Sequence, residues 1–235
     1  EFIESGWDIK HIHRLIVLSS VYRQVSRPTP EVIARSERID PDNLFLWRQS
    51  LRRLGAEPFR DAVLAVSGRL DPRPFGGALR VARRPDGEVN MADGQPDNRR
   101  SVYIQILRLN PQTLLQAFDQ PTIEINCSQR SQSTVATQAL TLWNSRWMEK
   151  AAESFATRVT DSDNRRVVER AIGLAYARPA TDQERQVVVE FLSEQARRHL
   201  EGPDGKPVAA DTARRRAIID LCHMLLASNE FAYID

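Results

Sequence analysis

Only two cysteines, Cys127 and Cys222, occur in the 235 residues, too few for a fold stapled by disulfides. They are either one disulfide in an oxidising compartment or two buried thiols. Long apolar runs are missing as well. Nothing approaches the roughly 20 residues that cross a bilayer, which excludes a membrane span. Lysine is scarce: Lys10, Lys150 and Lys206 are the only ones among 33 basic residues. Arginine suits forked contacts with carboxylate and phosphate, but a coding sequence rich in G and C produces the same bias. The acids, 31 Asp and Glu, leave a formal charge of +2 and are interleaved with the arginines almost throughout. That pattern offers no continuous basic face for nucleic acid.

Other absences narrow the chemistry. No glycine-rich phosphate loop stands at a strand-to-helix junction; Phe75-Gly76-Gly77 is too short and sits among prolines. Val66-Ser67-Gly68 lacks the first glycine of a nucleophile elbow. His11 and His13 fall about 200° apart around a helix, so they cannot share one ion. Cys222 and His223 are adjacent with no partner spacing nearby, and no C-x-x-C-H motif for covalent haem occurs. No metal site and no cofactor are expected in this chain. It opens Glu-Phe-Ile-Glu, with neither an initiator methionine nor a signal-type segment, and reads as the continuation of something upstream whose targeting information lies elsewhere.

What is present is an ordinary core-forming composition, 41% apolar and 27% charged, long enough to bury a core without staples. Apolar spacing predicts a mostly buried helix over Asp8 to Val25, stopped by Pro28 and Pro30, then a polar connector with a turn at Asp40-Pro41-Asp42-Asn43. A second helix is predicted from Trp47 to Leu70, bent or restarted at Pro58. Residues 71–98 hold four prolines and four of the ten glycines and read as a long irregular surface loop. Alternation through Val102, Ile104 and Ile106 predicts a strand around 100–107, paired with 122–126 across a short helix from Pro111 to Phe118.

The last hundred residues carry four successive helical stripes: Val135, Ala139, Leu140, Trp143; then Trp147, Ala151, Phe155, Val159; then Val168, Ala171, Ile172, Ala175, Tyr176; and finally Ala217, Leu221, Leu225. Between the third and fourth, Thr181 followed by Glu184 is a capping-box signature opening a helix with Val188, Phe191 and Leu192 inward. The expected fold is therefore mainly α, a helical bundle with one small β element. An N-terminal part over 1–130 and a C-terminal bundle over 131–235 form one continuous unit.

The polar residues with most chemical promise are Glu57 and Asp61, one turn apart with Arg53 and Arg60 beside them. Neighbouring carboxylates can separate their protonation and work as acid and base; equally, such charges form ion pairs along a helix, here with Arg99 or Arg100. Arg99-Arg100 with Arg130 could make an anion-binding corner or tie loops to helix ends. Trp7, Trp47, Trp143 and Trp147 could stack on sugars or bases, though at helical positions they suit a core.

A longer pattern runs through these tokens. It begins with Gly6-Trp7-Asp8-Ile9-Lys10-His11-Ile12-His13-Arg14, Ser19, Tyr22 and Gln24. Asp40-Pro41, Asn43, Arg53-Leu54, Ala56-Glu57, Arg60-Asp61, Ser67-Gly68, Gly76-Gly77 and Arg99 to Tyr103 follow. It continues through Phe118-Asp119, Pro121, Gln138-Ala139-Leu140, Asn144, Arg178-Pro179, Thr181, Glu184, Asn229-Glu230-Phe231 and Tyr233. In this order they resemble the planctomycete PSD domain, a family of unknown function, over essentially the whole chain. Thr137 stands where that pattern has proline, and Trp143 where it has a smaller apolar residue.

The resemblance implies the C-terminal module of an exported, extracytoplasmic multidomain protein. Its partners would be the upstream domains of the same polypeptide, often including a cytochrome c-like haem domain, with an association to polysaccharide breakdown. It supplies no established catalytic residues. Two readings follow: a helical scaffold that packs on an upstream domain, or an enzyme or binding site for anionic, sulfated carbohydrate built on Glu57, Asp61, Arg60, Arg100 and Arg130.

Overall fold

A computed structural model describes residues 1–121, 130, 133, 135–202 and 204–234. In chain order the elements are α1 Ile9–Leu18, α2 Pro30–Ser36, β1 Arg52–Arg53, α3 Ala56–Ser67, β2 Val81–Arg83, β3 Val89–Met91 and α4 Thr113–Ala117. They continue with α5 Ala136–Asn144, α6 Arg146–Val159, α7 Asn164–Tyr176, α8 Asp182–Arg198, α9 Ala210–Leu226, α10 Asn229–Ala232 and β4 Tyr233–Ile234. The fold is mainly α, with two two-stranded sheets, β1–β4 and β2–β3, among the described residues. Contacts divide the chain into two compact units, Glu1–Arg53 with the final strand, and Leu54–Ala232.

In the first unit α1 is capped by Asp8, whose carboxylate accepts from Lys10 N at 2.9 Å. It ends at Leu18, earlier than the spacing predicts, because the Ser19 hydroxyl donates to Ile16 O and accepts from Tyr22 N, diverting the backbone from the helical ladder. The expectation that this helix is buried is overturned: none of its residues is. Ile9, Leu15, Ile16, Val17 and Leu18 all lie exposed. After α2, Asp40 organises the turn. Its carboxylate accepts from Leu44 N and Phe45 N at 2.8 and 2.7 Å, and its carbonyl accepts from the Trp47 indole at 2.9 Å. Asn43 and the Arg48 backbone exchange two further bonds. β1 pairs antiparallel with β4, Arg53 opposite Tyr233.

In the second unit α3 starts at Ala56, nine residues after the expected Trp47, because Gly55 holds an extended N-cap geometry. Pro58 therefore falls in the first helical turn, where a missing N–H costs no hydrogen bond, and it neither bends nor interrupts the helix. α3 packs on α4 and α6, and α9 packs on α6, α7 and α8. Phe59 stacks on Phe118 at 4.3 Å and meets Phe231 edge-on. Met148, Ala151, Ala152, Phe155, Ala156 and Val159 give α6 a fully enclosed face, so the bundle centre is the contact of α6 with α9. Val168, Ala171, Ile172, Val188, Leu192, Ala217, Leu221 and Leu225 fill it as their spacing requires.

Three local expectations are corrected. Residues 71–98 are not irregular throughout: β2 and β3 form a hairpin whose turn Arg84-Pro85-Asp86-Gly87 closes through Gly87 N to Arg84 O, with Gly87 at φ 90°. Proline, aspartate and a left-handed glycine in that order are turn chemistry. The strand expected around 100–107 is instead a single 3-10 turn at Ser101–Tyr103 followed by one bridge, Ile104 to Leu79. The Ser101 N–H that a strand ladder would need is taken by Asp61. Its supposed partner, 122–126, lies outside the described residues, as does Cys127. On α5 the inward residues are Gln138 and Leu142, while Leu140 and Trp143 face outward. The Gln138 amide donates to Ser133 O, and the Trp143 ring lies 4.8 Å from that of His223. Cys222 is a buried free thiol whose pKa burial pushes up.

Candidate functional site

The five residues singled out from the sequence are divided between two places on α3. Glu57, in the first turn, pairs with Arg130 at 2.7 Å. One turn on, Asp61 holds the loop that precedes Ser101–Tyr103: its Oδ1 accepts from both the N–H and the hydroxyl of Ser101 at 2.7 Å, and Arg100 Nε lies 3.6 Å from Oδ2. Arg53 is not on this helix but on β1.

Arg60 is the unexpected member. Its side chain is 1% exposed, yet among the described residues no carboxylate forms a close pair with it, Asp61 standing at 3.8 Å. Its guanidinium spends its donors on the backbone instead: Nη2 on Asp97 O at 2.7 Å, Nη1 on Arg99 O at 2.8 Å and on the Ser101 hydroxyl at 3.3 Å. Burial lowers its pKa to about 10, which Asp61 and Asp97 partly oppose; the group stays charged at neutral pH. The ring of Trp147 lies 5.3 Å away, and Arg69, over the same ring at 6.0 Å, pairs with Asp97 at 2.6 Å. An arginine fixed in this way binds protein carbonyls, not a ligand anion.

The other tokens repeat this behaviour. Arg99 lies 4.1 Å over Tyr103 and donates to Arg73 O and Phe75 O. The Tyr103 hydroxyl accepts from Phe75 N. Gly76, at φ 100°, leaves room for that guanidinium, since a Cβ there would come within 3.1 Å of Arg99 Nη1. Gly68 ends α3 at φ 75° beneath Arg158, whose Nη1 donates to Val66 O and to Ala65 O, the latter shared with the Gly68 N–H, at the helix end. At the far end of the bundle, Thr181 and Glu184 form the predicted capping box. Arg178 grips Glu184 and Glu230 with four bonds of 2.6 to 2.9 Å, and the Tyr176 hydroxyl donates to Ser228 Oγ. Arg178 holds the Glu184 carboxyl down to about 2. Sequence reasoning missed Ser101, Asp97, Arg69 and Arg158, because carbonyl-binding arginines leave no spacing signal.

A recess of about 450 Å³ opens beside Arg60, between the hairpin, the 92–97 turn and the start of α6. Arg60 is the only one of the five candidates among its lining residues. Among the described residues, no three His, Cys, Asp or Glu side chains are placed to hold a metal ion, and no helix is long and apolar enough to cross a membrane.

The family model PSD1, described as a protein of unknown function (DUF1553), matches residues 1–192. The chain belongs to the PSD1 family. Comparisons with curated proteins and with solved structures gave no match. The matched span takes in all of α1 to α7 and most of α8, and so includes the Asp40 turn, the Arg60–Asp61 lock and the Thr181–Glu184 cap.

Proposed function

We propose that this PSD1 domain is an interaction scaffold, and that its first unit is the face that receives a neighbouring domain. The observation that carries this reading is α1, an amphipathic helix with no buried residue, whose apolar side includes Ile9, Leu15 and Ile16. A monomeric surface seldom leaves so much aliphatic area in one place without a partner. An apolar cleft of about 340 Å³ lined by Val32, Ile39, Phe45 and Trp47 continues the same character within that unit. The polar residues favour the same conclusion from the other side. Arg60, Asp61, Arg99 and Arg178 are engaged with the chain's own carbonyls, hydroxyls and carboxylates, which leaves little free for acid–base work.

Following the family resemblance, the neighbour is an upstream domain of the same polypeptide, in an exported protein that also carries a cytochrome c-like haem domain and serves polysaccharide breakdown. This chain contains no covalent-haem motif, so haem chemistry would belong to the neighbour. The test is to compare residues 1–235 alone with the full polypeptide by thermal and urea denaturation and by sedimentation. The scaffold reading expects the isolated chain to be less stable or self-associating, with both defects removed in the longer protein. An isolated chain that is monomeric and gains nothing on joining would overturn it.

A further inference from the structure

The recess beside Arg60 has a charge arrangement that the scaffold reading does not use. Two cations of α6, Arg146 and Lys150, line it from one element one turn apart, and Arg84 joins them from the hairpin turn. Asp86, Glu88 and Asp93 line it from the hairpin and the following turn. Among the described residues none of these six side chains enters an ion pair, although Arg60, Arg69, Arg130, Arg158 and Arg178 of the same unit are all engaged. Opposite charges therefore share one cavity without neutralising each other. Arg146 is also the first residue of α6, where the helix's positive end makes a cation unfavourable. A ligand anion would relieve that conflict.

The lining supplies further contacts. Asn90 and Gln112, themselves bonded together at 3.0 Å, add amide groups to it. The volume lies within the roughly 300–1,000 Å³ of small-molecule sites. The unpaired charges of the wall sum to zero, so the field favours a molecule without net charge; Arg84 and Asp86 share the hairpin turn, while Arg146 and Lys150 stand on α6 and Glu88 and Asp93 on the hairpin and the turn after it, and charges held on different elements favour a molecule whose own charges are separated.

We infer that this recess binds a small zwitterion, its anionic group toward Arg146 and Lys150 on α6 and its cationic group toward Glu88 and Asp93. A short peptide with both termini free has that chemistry. The inference is independent of what docks on α1, because every lining residue belongs to the Leu54–Ala232 unit.

Trialanine is the probe, since its methyl side chains leave the two ends as the only charges. Calorimetric titration of the 235-residue chain at low salt should give saturable binding, weakened at least tenfold by N-acetylation or by C-terminal amidation. Arg146→Gln with Lys150→Gln should abolish the preference for the free carboxylate and keep the preference for the free amine; Glu88→Gln with Asp93→Asn should do the reverse. Arg146, Lys150 and Asp93 are exposed and Glu88 is half-buried, and unchanged circular dichroism melts confirm that each variant folds. No saturable binding of trialanine, equal binding of its capped forms, or equal binding of maltose as a neutral polyol would each overturn the proposal.

Discussion

Arg60 is the residue on which the second unit turns. A charged side chain with 1% exposure survives inside a protein only if its donors find acceptors, and here two backbone carbonyls and a serine hydroxyl supply them. Removing it strands those two carbonyls. Arg60→Met should cost about 3–5 kcal/mol in urea denaturation, and Asp61→Asn about 1–3 kcal/mol, with the two losses less than additive because they share Ser101. Gly68 offers a second test. A Cβ there would sit 2.7 Å from Arg158 Cδ, on a backbone at φ 75°. Gly68→Ala should therefore cost about 1–3 kcal/mol, and shortening Arg158 to Ala should recover only the steric share. Glu57, Asp61 and Arg60 could be picked out from type and spacing alone. That Arg60 would turn inward toward carbonyls 37 and 39 residues away could not, because backbone acceptors are the same at every position.

At the level of elements, what was legible followed from local rules. The α6, α7, α8 and α9 stripes have one apolar face each, and the Thr181–Glu184 box is complete within four residues. The hairpin at 81–91 was legible too, in Pro85-Asp86-Gly87, but the density of proline and glycine around it hid three-residue strands. The strand expected at 100–107 failed for a different reason: its alternation is real, yet Asp61, 40 residues earlier, captures the backbone donor of Ser101. On α5 both faces are apolar enough to be inward, so spacing could not choose between them.

The C-terminal brace makes a prediction about pH. Glu184 titrates at about 2 instead of its usual 4.5, chiefly because Arg178 bonds to its ionised form. A lowered folded-state value means the stabilisation is complete above about pH 4.5 and is lost as pH falls toward 2. Thermal melts across that window should show a falling Tm, and Glu184→Gln should flatten this part of the slope while lowering stability at neutral pH. A variant whose melts keep the parent's slope would show that other carboxylates carry it.

For the molecule as a whole, two kinds of surface stand apart. In the Leu54–Ala232 unit Arg60, Arg99, Arg158 and Arg178 are spent on the unit's own loops and helix ends, whereas the Glu1–Arg53 unit leaves α1 exposed. Composition could announce neither property: the apolar residues of α1 are as numerous as those of a core helix, and only the fold shows that its own unit leaves them exposed among the described residues. Hydrogen exchange of α1 within the full polypeptide, set against residues 1–235 alone, is the most direct test. If α1 receives a neighbouring domain, the amides of Ile12 to Leu18 should exchange at least tenfold more slowly in the longer protein, while those of α6 and α9 remain unchanged. Equal exchange of α1 in both proteins would contradict it.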